Sequence, residues 1–154
     1  TTTTSTVLDT ARLSNFYLTT HWQMLLIAET NAGMFLHKDT LRTASWQLQL
    51  VGRKKWHLCS DANTPFLYKA GDVDMFSVDY DTYPLVLRAE CYEVVLSPGD
   101  VLYYPSDFWH QTINLDTPSI AISSTLITPL NYKHVKHTLL EMCYDHWAAL
   151  YDVF

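Results

Sequence analysis

Between residues 22 and 128 no single pattern lasts longer than a strand. Trp22–Ala28 is a continuous apolar run apart from Gln23, and Thr30-Asn31-Ala32-Gly33 is a turn before the run resumes at Met34–His37. Ser45–Val51 alternates, with Trp46, Leu48 and Leu50 on one face and Ser45, Gln47 and Gln49 on the other. Gly52 opens a tight turn into Lys55–Cys59. Further runs follow at Leu85–Arg88, Tyr92–Leu96, Val101–Tyr104, Gln111–Asn114 and Ile120–Ile127, with the strong turn signal Ser97-Pro98-Gly99-Asp100 among them. Short strands this close together bury their apolar faces only by folding into a sandwich or barrel.

Two segments depart from this. Residues 60–84 are polar, carry Pro65, Gly71 and Pro84, and read as a long loop with one short element at most. Residues 131–154 read as a helix: Val135, Leu139, Met142, Cys143 and Trp147 recur at spacings of three or four, behind Asn131 as a cap. That apolar face suits core packing or a partner helix, including a homodimer. One domain over 1–154 is expected, with its core at about 22–128.

Composition narrows the function classes. The net charge of -6 over 154 residues argues against a broad electrostatic grip on nucleic acid, though a local basic groove is compatible with it. No apolar stretch reaches the roughly 18 residues of a membrane helix. No signal peptide is visible, and an intracellular protein, nuclear or cytoplasmic, is expected. The three cysteines Cys59, Cys91 and Cys143 form no CxxC pair, and reduced, buried thiols are expected of them.

Two imidazoles and one carboxylate on one face of an octahedron hold iron and leave positions open. His37-Lys38-Asp39 could supply two such ligands, because residues i and i+2 of an extended segment point the same way. A bare pair of this kind is common by chance and is as readily a surface His beside a turn Asp. It gains weight from its place where an apolar strand opens into a turn. His110 opens a later apolar run and is the third candidate, with a satisfied core histidine as the alternative. His57 sits between Trp56 and Leu58 with no acid beside it in the sequence, and His21, His134, His137 and His146 read as surface or packing.

The segment from His37-Lys38-Asp39 through Ala44-Ser45-Trp46 to Gly52-Arg53-Lys54 and Trp56 resembles the JmjC family. The likeness is greatest to the arm with the arginine demethylase and lysyl hydroxylase enzymes. The distal segment Ser97-Pro98-Gly99-Asp100 through Pro105, Trp109-His110 and Asn114-Leu115-Asp116 is also similar to that family. The resemblance covers about 22–128. It implies an all-β, double-stranded β-helix (jelly-roll or cupin-like) barrel with a C-terminal helix, and a dioxygenase using Fe(II) and 2-oxoglutarate.

By the same resemblance, His37, Asp39 and His110 are the metal ligands and Lys54 is the cation for the far carboxylate of 2-oxoglutarate. Read alone, Lys54 is one of a surface trio with Arg53 and Lys55. Ser123 falls near the family's hydroxyl position, with Thr125 as its same-face neighbour. Gln47 stands where an Asn is often found, and Asn114 matches an Asn of this arm. Met34 replaces a Thr that bonds 2-oxoglutarate in much of the arm, so Tyr17 or another hydroxyl would have to substitute. The substrate expected first is a Lys or Arg side chain of a protein, hydroxylated rather than demethylated. Asp61, Asp72, Asp74, Asp79, Asp81, Glu90, Glu93 and Asp100 form an acidic stretch that would suit a basic peptide, or is simply solvated. RNA or a modified nucleoside, a non-catalytic JmjC-like binding domain, and a cupin isomerase with another metal are the alternatives.

Overall fold

The structure is a computed structural model that describes residues 23–151, with side chains through Glu141. Eight strands form two antiparallel four-stranded sheets. They are β1 (Gln23–Ala28), β2 (Gly33–His37), β3 (Ala44–Val51), β4 (Lys54–Cys59), β5 (Cys91–Leu96), β6 (Val101–Tyr104), β7 (Trp109–Asn114) and β8 (Ser119–Leu126), and α1 (Tyr132–Tyr151) follows. The first sheet runs β1-β8-β3-β6 and the second β2-β7-β4-β5. This is the jelly-roll order of a double-stranded β-helix, with sequence-distant strands as neighbours.

The turns are set by their residues. Asn31 takes φ 68° and Gly52 φ 68°, the left-handed region that Asn and Gly tolerate best. At Ser97–Asp100 the Asp100 carboxylate accepts from Ser97 N at 2.8 Å, and Gly99 N donates to Gln49 O at 2.8 Å. Gly33 has a different reason. A Cβ there would lie 1.9 Å from Thr112 O, so only glycine lets β2 approach β7 this closely.

The alternation in β3 is oriented against ordinary hydropathy. Ser45, Gln47 and Gln49 are buried, whereas Leu50 is exposed and Trp46 and Leu48 are half-buried. The polar stripe faces the barrel interior, where register sets Ser45 beside Thr125 and Gln47 beside Ser123. The opposite face of that sheet leaves Leu25, Ile27, Val101 and Tyr103 exposed.

Much of the apolar core lies outside the barrel. Leu36, Cys59, Leu67, Val73, Val86 and Trp109 cluster between the second sheet and the segment joining β4 to β5. That segment, expected to be a polar loop, thus buries Leu67, Val73 and Val86. It holds two short 3-10 helices, Asp61–Phe66 and Pro84–Arg88. The second replaces the strand expected at Leu85–Arg88, because Pro84 starts the helical turn and Val86 alone of it is buried.

The expectation of reduced thiols is also corrected. Cys59 and Cys91 are register partners on β4 and β5 and form a disulfide, with Cα atoms 4.4 Å apart. Their sequence separation of 32 hides a direct cross-strand contact. Asn131 precedes α1, but its side chain bonds backwards, accepting from Thr128 N at 2.7 Å and donating to Leu126 O at 2.9 Å. Val135 is buried. Trp22, Tyr17 and His21 lie outside the described residues, as do the side chains of Met142, Cys143, His146 and Trp147. Among the described residues no helix is long and apolar enough to cross a membrane.

Cys59–Cys91 closes the segment that carries Leu67, Val73 and Val86 into the core. Replacing both by Ser should lower stability by roughly 3–4 kcal/mol, the loop-closure value for this separation. Urea unfolding of wild type and variant, without reductant, measures it; equal midpoints would show that the bridge contributes nothing.

Candidate metal centre

Strand pairing assembles the cluster. His37 ends β2 and His110 sits in β7, and they are register partners. Their rings stand 4.2 Å apart at 56°. Asp39 follows two residues after His37, and its Oδ1 lies 3.7 Å from His110 Nε2. One ligand atom from each of the three lies within 4.8 Å of the others, close enough for one ion with bonds of about 2.1 Å after small side-chain adjustment.

Hydrogen bonds select the correct nitrogen of each ring. His37 Nδ1 is 2.7 Å from Phe35 O, and His110 Nδ1 is 3.1 Å from Phe108 O. A carbonyl oxygen only accepts, so both Nδ1 atoms carry the proton and both Nε2 lone pairs are left for a metal. Ser45 Oγ donates to Asp39 Oδ2 at 2.7 Å, which orients Oδ1 toward His110. Burial and the neighbouring His37 lower the His110 pKa, and Asp39 opposes that shift. A neutral ring is the form that ligates. Tyr104, buried beside Asp39, has its phenol pKa pushed up by burial and by the Asp39 charge, so it is a neutral hydroxyl.

The cluster opens into a cavity of about 150 Å³. Its walls include Met24, Leu26 and Met34 from the strands nearest the opening, and Gln47, Trp56, Tyr104, Thr112 and Ser123 deeper in. Lys54 also lines it and is 6 % exposed. The surface trio is thereby resolved by strand alternation. Arg53 pairs with Asp116 at 2.8 Å and Lys55 with Glu93 at 2.8 Å, both outward, while Lys54 points in. No carboxylate among the described residues lies within ion-pair distance of Lys54, and burial lowers its pKa. A buried ammonium without a counter-ion is costly, so a bound anion would relieve it.

Register gives the spacing. Lys54 is opposite Asn114, Trp56 opposite Thr112 and Leu58 opposite His110. Lys54 thus sits four residues, about 13 Å of backbone, from the level of His110.

The other expected residues are placed as follows. Ser123 and Gln47 line the cavity; Ser123 Oγ donates to Trp46 O at 2.9 Å, and Gln47 Nε2 is 3.3 Å from Gln49 Oε1. Thr125 is buried beside Ser45 rather than in the cavity wall. Asn114 donates to Glu29 O at 3.3 Å, tying down the turn before β2, and leaves its Oδ1 buried without a partner among the described residues.

Sequence reasoning missed Thr112. It lies opposite Met34, accepts from Met34 N at 3.2 Å, and keeps its own proton for a further bond. Its position two residues after His110, on the same strand face, was the available signal. Tyr104 carried none, since only the β3–β6 pairing brings it to Asp39, whereas Ser45 is a local partner six residues on from Asp39. His57, expected to lack a nearby acid, lies 3.0 Å from Glu93 across the strand pair, and His137 pairs with Glu141 at 3.2 Å. Neither joins a metal-binding group among the described residues.

Residues 10–124 match the family described as "Cupin-like domain". The chain is 33% identical over 86 residues to human HSPB1-associated protein 1, a match covering 49% of this chain and 18% of that protein. It is 28% identical to Arabidopsis thaliana lysine-specific demethylase JMJ21, covering 74% of this chain and 13% of that protein. The match therefore spans less than a fifth of either relative. Among solved structures it is similar to the Escherichia coli ribosomal oxygenase YcfD, with TM-score 0.46 and 21% identity over 69% of this chain and 23% of that one.

Two substitutions separate ligand from support. His110→Ala should abolish tight binding of Fe(II) or Co(II) in anaerobic calorimetry. Ser45→Ala should weaken it roughly 10–100-fold, the usual effect of freeing a ligand from its hydrogen-bond partner. Normal affinity in His110→Ala would remove that residue from the ligand set.

Proposed function

The chain belongs to the cupin-like, JmjC-type domain family, and from that premise we propose that it is an Fe(II)- and 2-oxoglutarate-dependent dioxygenase acting on a Lys or Arg side chain of a protein. The observation that carries this reading is one cavity lined both by a His-Asp-His group and by a buried ammonium that has no carboxylate partner among the described residues. An isomerase-type cupin site would have no need of that ammonium.

The residues fit both groups. His37 Nε2, His110 Nε2 and one Asp39 oxygen would hold the iron, and the three neutral or anionic donors suit a divalent ion of this class. Lys54 would pair with the far carboxylate of 2-oxoglutarate. Thr112, opposite Met34, has the free hydroxyl proton that Met34 cannot supply, and one hydrogen bond to a charged group is worth roughly 1.5–3 kcal/mol. Gln47 and Ser123 would complete the polar wall. Asn114 and Thr125 would act as supports behind it. Bound together, iron and 2-oxoglutarate supply an oxidant that places oxygen on an unactivated C–H bond.

This chain's own residues then bind, orient and shield. Trp56, stacked on His110 with centroids 5.9 Å apart, keeps that ring from turning. Met24, Leu26 and Met34 make the cavity mouth apolar, which limits water at the reacting centre. Among the described residues Lys54 is the only cation in the wall, which favours a protein over an RNA substrate. The lysine-specific demethylase among the relatives and the acidic segment between β4 and β5 support a basic side chain as the group oxidised.

Anaerobic addition of Fe(II) and then 2-oxoglutarate should raise a metal-to-ligand charge-transfer band in the visible spectrum. Lys54→Met should weaken the 2-oxoglutarate dependence of that band at least tenfold while iron affinity is retained, and Thr112→Val should weaken it by roughly tenfold. No band with wild-type protein that binds iron would leave a metal-holding domain without this chemistry.

A further inference from the structure

A second concavity of about 200 Å³ lies on the outer side of the second sheet, lined by Phe35, Asp74, Phe76 and Gln111 among others. It shares Met34 and Thr112 with the metal cavity, so the wall between the two is one strand pair thick. We propose that this groove is a subsite for a cationic side chain of a peptide substrate, a residue flanking the one that enters the metal cavity.

The groove's chemistry selects that ligand. Asp74 is its one charged wall residue. Its Oδ1 accepts from Gln111 Nε2 at 2.7 Å and from Phe76 N at 2.9 Å, which fixes the carboxylate, while its Oδ2 has no partner among the described residues. Gln111 is itself immobilised, because its Oε1 accepts from Met75 N at 2.7 Å. The polar side of the groove is therefore anionic and rigid.

The other side is aromatic. Phe35 is 55 % exposed, unusually high for a phenylalanine next to a candidate metal ligand. Phe76 already takes one ammonium, that of Lys55, at 5.6 Å from its ring centroid. A carboxylate facing phenyl rings in a partly enclosed groove attracts an organic cation through both charge and ring quadrupole. It offers little to an anion or to an uncharged side chain.

The position suits an extended peptide. Met34 and Thr112 line both spaces, so on an extended peptide a residue close in sequence to the one at the metal lies within reach of the groove. The assignment of a peptide rests on the oxygenase reading, but the cation site itself does not.

The test is a titration of the isotope-labelled full chain with N-acetyl-arginine amide, followed by amide NMR shifts, with N-acetyl-norvaline amide as the uncharged control. Saturable shifts at Asp74, Phe76 and Gln111 are expected for the arginine compound alone. Asp74→Asn should weaken them about tenfold, the factor for one charge-assisted contact, and Phe35→Leu should weaken them severalfold. Asp79→Asn should change little. Shifts that do not saturate, an equal response to the uncharged compound, or an unaltered response in folded Asp74→Asn and Phe35→Leu would each overturn the proposal. The measurement needs neither iron nor 2-oxoglutarate, so its failure is distinct from failure of the oxygenase reading.

Discussion

The pairing of β2 with β7 is the constraint on which the candidate site depends. β2 is a short edge strand, and an edge strand carrying a metal ligand must be held from both sides. Along its paired edge, Gly33 lets its backbone approach Thr112 without a Cβ in the way. On the outer side, Leu36 and Trp109, each one residue before a candidate ligand, are buried in the same apolar cluster. Packing behind the sheet thus places His37 and His110 in register before any ion binds, which limits the reorganisation that metal binding requires.

That arrangement explains why the barrel tolerates a polar interior. In many β-sandwiches the inner faces supply the hydrophobic core. Here a second cluster, Trp56, Leu58, Leu96 and Tyr104, holds part of the interior, and the segment between β4 and β5 covers the second sheet from outside. Ser45, Gln47, Gln49 and Ser123 can then face inward with their hydrogen bonds satisfied by one another and by neighbouring strands. Lys54 differs, buried without a counter-ion among the described residues. Local stability is sacrificed there for a group that a ligand carboxylate can complete.

Much of the fold was legible because strand-length runs and turn residues are local signals. β3, β6 and the Ser97–Asp100 turn sit within a residue or so of where alternation and Pro-Gly chemistry put them. The misreadings share one cause. Leu85–Arg88 is apolar enough for a strand, yet Pro84 and the lack of a pairing partner make it helical. Cys59 and Cys91, and His57 and Glu93, are distant in sequence and adjacent across β4–β5. Pairing between strands is not a local property, so no window of sequence reports it.

The same division runs through the site. Sequence alone determined the candidate ligand types and the i, i+2 geometry of His37 and Asp39, because an extended backbone alternates its side chains whatever surrounds it. Read alone it left Lys54 in one surface trio with Arg53 and Lys55, without saying which of the three points inward. Tertiary structure decided that. It turned the polar face of β3 inward, set Thr112 opposite Met34, brought Tyr104 to Asp39, and laid Asp74 against Gln111 beside the metal cavity. Each of these depends on register between strands far apart in the chain, and register is settled by what the whole barrel can bury.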